Sequence, residues 1–461
     1  MAKRAQKQKR KHLLEQTLNP LSAGIDIGAE EIVAAIPPNL TQSNPVKTYE
    51  SFTSGLKALR DWLLLHQIAT VAMESTGVYW IPLYEILEEA GIEVCLVNAR
   101  HVKGVPGKKT DVCDAQWLQQ LHSAGLLKSS FRPRGEIITI RQLVRYRANC
   151  IQAAAREIQH MQKALSEMNL QIHHVFSDLD GVSAMRILEA ILKGERDVEK
   201  LWDMRDGRVK APKEKFLKAM EGHYQPAQLF ILKQCHLKWK QEQEAIIECD
   251  REIEKYLQQA SPDYGDSPPP ALKPTKKHRT GSKNSFGGDI FEMGNLYYGV
   301  DLSTVDGVSA GLLGVLMSEI GTRDDLLKNF KTSKRFCSWL GLCPDQKISG
   351  GKVLQTKTRR VVNKITEALR LCAFSAGHSK SAMGEYTRRM KGRLGKVEGI
   401  TAAAHKLARI LYSMIASRQP YNESEAFKVN EYSVAKKEKI FKSLAKSLDI
   451  VLPKNLDSIR V

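Results

Sequence analysis

Nowhere in the 461 residues does an uninterrupted apolar run approach the roughly 20 residues that a membrane-spanning helix needs. The first dozen residues, MAKRAQKQKRKH, likewise lack the apolar stretch of a secretory signal. A cytoplasmic protein with no membrane partner is expected. Eight cysteines are scattered at positions 95, 113, 150, 235, 249, 337, 343 and 372 without a CxxC pair. That spacing indicates neither a zinc site nor a disulfide framework, and reduced structural thiols are the expectation. Negative charge is the scarcer sign: 51 Asp and Glu face 70 Lys and Arg, a formal net charge of +19. Such an excess favours a polyanionic partner, nucleic acid before membrane. Hydrophobic residues at 42% let most of the chain fold, and its length implies roughly three domains.

On this basic background four acidic residues stand out among apolar, strand-like runs: Asp26 in AGIDIGA, Glu74 in VAMESTG, and Asp111 with Asp114 in KKTDVCDA. Gathered carboxylates repel one another and are costly to bury, so they are stable together mainly when a divalent cation neutralises them. Two such ions would activate a nucleophile and stabilise the leaving oxygen of a phosphodiester. Each motif alone has a plainer reading. An Asp pair three apart at a helix start is commonly a cap that answers the helix dipole, and Glu74 alone would be a surface carboxylate at a strand end. GIDIG also opens sugar-kinase and actin-type nucleotide folds, but those need further Gly-rich phosphate turns that this sequence lacks.

Element order decides between these readings. Residues 1–20 are a basic arm. From Ser22, SAGIDIG and EIVAAIP read as two strands joined by a tight turn and VKTYESF as a third. TSGLKALRDWLLLHQ has helical spacing and a Thr53 or Ser54 cap. TVAMEST is a fourth strand, YWIPLYEILEEAG a helix ended by Gly91, and IEVCLVNA a fifth strand. Three antiparallel strands followed by two parallel ones is the ribonuclease H-like layout, expected over 21–135. In it the first and fourth strands are neighbours, so Asp26 and Glu74 would face one crevice. Asp111 and Asp114, on one face of the helix TDVCDAQWLQQLHSAGLL, would close it.

Further along, Ile137, Ile140, Val144, Arg147, Ile151, Ala154, Ile158, Met161, Leu165, Met168 and Ile172 alternate spacings of three and four. This coiled-coil seam predicts one helix over 137–172, packing on a helix near 228–259 or on another subunit. These helices and an inserted helical module span 136–260. The pentapeptide DGVSA occurs at 180–184 and again at 306–310, each time before an apolar helix. Such a turn either offers backbone N–H groups to a phosphate or simply starts a helix. A linker rich in Pro, Gly, Ser and Lys is expected over 261–298, a basic helical domain over 299–425, and a tail over 426–461.

The sequence resembles the DEDD transposases of the insertion sequence 110 family, in its 1111 subgroup. GIDIG, ESTGVYW, NARHVKGVPGKKTDVCDA, DGVSAGLL, FCSWLGLCP and SGGK occur in that family's order, over roughly 21–135 and 300–420. The resemblance implies Mg2+, two ions expected, held by Asp26, Glu74, Asp111 and Asp114. It also implies a nucleophilic serine in the C-terminal domain, matched by Ser349, with Ile348 where many members carry a second serine. Gly350 and Gly351 let backbone approach a phosphate, and Lys352 can offset its charge. A bridge RNA that pairs with donor and target DNA is implied as well. The sequence shows no zinc finger or clear helix-turn-helix, which suits a protein that holds phosphates and leaves base reading to pairing.

The reading is therefore an α/β plus α recombinase: a RuvC-like domain, a coiled-coil arm and a helical C-terminal domain with a catalytic serine. A homo-oligomer, dimer or tetramer, is expected. A Holliday-junction resolvase would use the carboxylates with water as nucleophile. A non-catalytic nucleic-acid-packaging protein would explain the charge but not the carboxylates.

Overall fold

A computed structural model of the chain describes residues 17–427 apart from 76, 99–110, 134, 263, 265–268, 270, 271, 273–283, 287 and 288, and also describes 443 and 447. The side chains of 111–113, 347 and 355 lie outside the description. Most of the expected basic arm and tail, much of the expected linker, and the run before Asp111 fall outside it too. The chain divides into two units, Met1–Arg132 and Pro133–Val461.

In the first unit, alternation of apolar residues builds β1 (Ser22–Ile27), β2 (Glu31–Ala35) and β3 (Val46–Glu50). Helix α1 (Thr53–Leu65) leads to β4 (Thr70–Glu74), and α2 (Trp80–Glu89) to β5 (Glu93–Val97). The sheet order is β3-β2-β1-β4-β5. The first three strands are antiparallel, and β4 and β5 run parallel to β1. Ile25, Ile32, Met73, Leu59, Leu63, Leu83 and Leu87 form the core beneath α1 and α2. The opposite face, with Val33 and Ala35, takes Ala115 of α3 (Asp111–Ser123). One local expectation fails. Neither Thr53 nor Ser54 caps α1; Phe52 holds the cap position with no side-chain hydrogen bond. Only two residues separate β3 from α1, and Gly55 packs directly on the Glu50 backbone there.

The second unit is built on α4 (Glu136–Glu167), which stops short of the single helix expected over 137–172. Asn169 adopts a left-handed φ of 57°, and Ile172 enters a 3-10 turn. The apolar spacing continues past this break because Met168, Leu170 and Ile172 stay in the same core. That core also holds α5 (Val182–Leu192), α6 (Val198–Asp203) and α7 (Lys213–Ala219). Helix α8 (Pro226–Gln259) then returns antiparallel along α4, so the seam is satisfied within the chain. At its middle the buried Arg147 makes two hydrogen bonds to Asp250, at 2.5 and 3.1 Å, and donates to the carbonyls of Asn284 and Ser285.

Residues 290–298, part of the expected 261–298 linker, are instead helix α9 (Ile290–Tyr298). Asp289 caps it, and Ile290, Phe291, Tyr297 and Tyr298 are buried. Four large apolar groups outweigh the Pro/Gly composition that precedes them. There follow α10 (Ala310–Ile320), α11 (Arg323–Asn329) and α12 (Ser333–Trp339). Glu319 of α10, buried, is gripped by Arg141 and Arg145 of α4 at 2.9 and 2.8 Å. The C-terminal domain is not wholly helical. An antiparallel hairpin, β6 (Pro344–Ser349) and β7 (Lys352–Thr358), precedes α13 (Lys364–Ala376), α14 (Ala382–Leu394) and α15 (Lys396–Ser417). Two glycines suited to a tight turn, and β-branched Val353, Thr356 and Thr358, favour strand there over helix.

Candidate functional site

Strand register places Asp26 and Glu74. Ser22, Ala23, Gly24 and Ile25 of β1 pair with Thr70, Val71, Ala72 and Met73 of β4. The next residue on each parallel strand is Asp26 and Glu74, so the two occupy neighbouring positions at the carboxyl ends of adjacent strands. They also share a face, because side chains alternate. Asp26 pairs across with Val33, and Val33 packs with Ala115 of α3. The face is therefore the one that α3 covers. Both carboxylates are half-buried.

Helix α3 runs antiparallel to β1. Its C-terminal end is tied to the start of β1 by hydrogen bonds from the Leu18 and Asn19 amides to the Ser123 carbonyl, at 2.8 and 2.9 Å. The His122 imidazole meets the Thr70 hydroxyl at 2.9 Å, and burial pushes that imidazole below its ordinary range. Midway, a β-carbon on Gly24 would collide with the Ala115 carbonyl and the Gln119 amide, so glycine lets helix and strand touch. The N-terminal turn, with Asp111 its first residue and Asp114 exposed, therefore lies toward the strand end that carries Asp26 and Glu74. Sequence placed these four residues on three separate motifs, and the backbone carries all three toward one edge. The Asp111 side chain lies outside the described residues.

Such an edge suits a hard divalent cation. The candidate ligands that the sequence names there are all carboxylates, the donors that Mg2+ and Mn2+ prefer over thiolate or imidazole. Just past Glu74, Gly77, Val78 and Tyr79 of the ESTGVYW motif are exposed, an apolar lip to which the sequence reading assigned no role of its own.

Ser349 ends β6 and pairs with Lys352 across the turn. Gly350 and Gly351 form that turn with φ of 56° and 75°, the positive values of a two-residue type I′ hairpin. Every described side chain from 344 to 360 is exposed, Ser349 and Lys352 included. A bulge between Lys347 and Ile348 sharpens the hairpin's twist. The FCSWLGLCP motif is the hairpin's footing. Phe336 and Cys337 are buried, and Phe330, Phe336, Trp339 and Tyr412 stack at 4.9–6.2 Å. Burial pushes the Cys337 thiol up to about 12, which fits packing and not chemistry.

The two DGVSA segments differ. Gly307 has a φ of 92°, and a β-carbon there would lie 2.8 Å from the Cys372 carbonyl. Ser309 then caps α10 through the Leu312 amide. This copy is packed against α13. At 180–184 Gly181 is the cap of α5 with φ −69°, Val182 is exposed, and the Asp206 amide donates to Ser183 Oγ. That copy borders an open cleft of about 450 Å³ that Arg208 and Lys210 also line. Sequence spacing also could not reveal a donor group formed by Glu157, His160 and Cys235 on facing helices.

Two family descriptions match the chain. One, a DEDD transposase of the IS110 type, matches residues 23–170, and the other, Transposase IS116/IS110/IS902 family, matches residues 301–388. Together they take in about half of the sequence, and they include the carboxylate edge and the serine hairpin respectively. No curated protein matches the chain. No described helix is long and apolar enough to cross a membrane.

Proposed function

For a chain that carries both transposase domains of the IS110 family, we propose that it cuts and rejoins DNA with Asp26, Glu74, Asp111 and Asp114 as Mg2+ ligands and Ser349 as nucleophile. The observation that carries the reading is the shared edge: adjacent parallel strands present Asp26 and Glu74 on the face that α3 covers, with Asp111 and Asp114 on the turn nearest them. Bound cations there would supply charge neutralisation of the phosphate and of the leaving oxygen. Asp26 and Glu74, set by strand register, hold their positions; Asp111 and Asp114 follow α3.

Ser349 attacks phosphorus through Oγ. Its proton passes to solvent as the Oγ–P bond forms and the bond to the departing 3′ or 5′ oxygen breaks, and that oxygen takes up a proton from solvent to leave as a hydroxyl. The serine phosphodiester keeps the bond energy, so a second DNA end restores the original linkage without ATP. Two glycines without β-carbons let the phosphate come close to the turn, and Lys352 opposite Ser349 balances its charge. Sequence choice falls to a bridge RNA, a proposal supported by the +19 charge and by the lack of a recognisable base-reading motif in the sequence. The protein acts as a dimer or tetramer.

A substrate with a blocked rejoining partner tests this. With Mg2+, the wild-type protein should become covalently joined to a DNA end. Ser349→Ala should abolish the adduct, and Asp26→Asn or Asp111→Asn should abolish cutting while leaving nucleic-acid binding and its steep salt dependence in place. Cutting by Ser349→Ala at the wild-type rate, with no adduct trapped, would instead make the protein a water-using nuclease.

A further inference from the structure

Because α4 and α8 lie antiparallel, residues distant in sequence meet across their seam. At one level Glu157 and His160 of α4 face Cys235 of α8, and one ligand atom from each lies within 4.8 Å of the other two. Glu157 and His160 are three apart, on one face of α4. The sulfur comes from the opposite helix.

Three observations separate this group from an ordinary helical ion pair. Glu157 Oε2 is buried and accepts no hydrogen bond among the described residues, which is unfavourable for a carboxylate oxygen in an interior. It stands 3.6 Å from His160 Nδ1, too far for a hydrogen bond. Two ligands about 2.0–2.3 Å from a tetrahedral ion stand about 3.3–3.7 Å apart, so the spacing matches ligands that share a cation. Finally, Cys235 is buried and its sulfur lies within 4.8 Å of the Glu157 carboxylate and the His160 imidazole.

We propose that Glu157, His160 and Cys235 form a transition-metal site, with Zn2+ the fitting ion, that clasps α4 to α8. Thiolate, imidazole and carboxylate together suit Zn2+, whereas Mg2+ does not take sulfur. Water completes the tetrahedron. On binding, the S–H bond breaks, the Sγ–metal bond forms and the proton passes to solvent; neutral His160 contributes the Nδ1 lone pair. Cys235 belongs, with Met161 and Leu232, to the core that supports α5, α6 and α7. The ion would therefore fasten the helical pair where the inserted module joins it. The site is independent of the DNA-cutting reading.

Full-length protein stripped with a chelator and titrated with Co2+ tests it. Wild type should show sulfur-to-cobalt charge-transfer absorption with tetrahedral visible bands, a proton being released as the metal loads the stripped protein, and one equivalent of Zn2+ should then bleach both with no further proton release. Zn2+ should also raise the unfolding temperature. Cys235→Ser should lose the charge-transfer band. His160→Ala should weaken the affinity at least about ten-fold; its ring is 59% exposed, so the fold tolerates the change, and this variant decides alone if Cys235→Ser does not fold. Asp26→Asn should keep the signal, and excess Mg2+ should not displace it. Absence of the charge-transfer band in wild type, or its survival in either Cys235→Ser or His160→Ala at wild-type affinity, would overturn the proposal.

Discussion

At the carboxylate-bearing edge, β1 is flanked by β2 and β4 and covered by α3, whereas the hairpin that carries Ser349 pairs its two strands with each other and exposes its side chains. The first arrangement sets position through burial: register fixes Asp26 beside Glu74, and contact at Gly24 fixes the height of α3. The second sets position through a turn. Cation ligands tolerate errors of only a few tenths of an ångström, which a packed framework supplies. On the proposed function, a nucleophile that must reach a bulky duplex gains from standing clear, and the exposed hairpin offers Ser349 that reach with little packing.

That contrast breaks most visibly at Gly24. Gly24→Val should push α3 off the sheet, at a cost of about 3 kcal/mol or more from overpacking against backbone. Cutting should vanish with it although no carboxylate is touched. Chemical denaturation together with the cleavage assay checks both. Wild-type stability in this variant would mean that α3 does not rest on β1 as described.

Next in size is a pair that separates the two DGVSA copies. Gly307→Ala forces a β-carbon to 2.8 Å from the Cys372 carbonyl at a φ of 92°, and should cost about 2 kcal/mol. Gly181→Ala meets the Asp178 carbonyl at 3.2 Å with an ordinary φ of −69°, and should cost under about 1 kcal/mol. Equal losses would show that the shared sequence, not its packing, sets the conformation.

A smaller effect is expected at the hairpin turn. Gly350→Ala meets no atom within 4 Å, but its φ is 56°. The cost should be about 1 kcal/mol, felt within the hairpin and not in the global unfolding midpoint. Strand transfer should fall further than stability does, because the turn aims Ser349. Hydrogen exchange at 344–358 beside a thermal melt distinguishes local from global loss, and a drop in the midpoint as large as that of Gly24→Val would mean that the hairpin is part of the main core.

The first unit was largely legible because its signals agree. Period-2 strands, period-3.6 helices and short connections leave few topologies, and the register of β1 on β4 follows from them. What could not be read there is contact: GIDIG does not announce that Gly24 must admit a helix backbone. In the second unit signals conflict. DGVSA is identical at two places yet starts its helices from Gly181 in one and Ser309 in the other, since neighbours in α13 decide. The expected linker ran on to 298 although its Pro, Gly, Ser and Lys richness stops at 289, and Ile290 and Tyr297 found a core. The α4 seam was visible by its spacing, and Arg147 in it was the one polar member that needed a partner. Asp250 is that partner. Glu157 and His160 share a face of α4, but Cys235 comes from α8, 75 residues on from His160, and no spacing rule joins it to them.

The smallest expected effect is on pH, and it also discriminates the two units. Burial holds His122 of the first unit below its ordinary range, and His405, beside Cys343 at the hairpin's footing, is held down by burial and then by Arg409 and Lys406. A lowered imidazole pKa in the fold means that, as pH falls through the ordinary value near 6.5, the unfolded chain takes up protons that the folded one does not. Stability from these groups is therefore fully present above that pH and declines below it, flattening once the folded imidazoles also charge. Urea unfolding at neutral and mildly acidic pH should show the decline. His122→Gln should reduce it for the first unit alone, as read by hydrogen exchange on β1 and β4, and leave the acid response of α15 unchanged. A stability that rises as pH falls from neutrality to about 5 would contradict the sign, because protonation of either buried ring removes neutral packing and, at His405, adds a third positive charge beside Lys406 and Arg409.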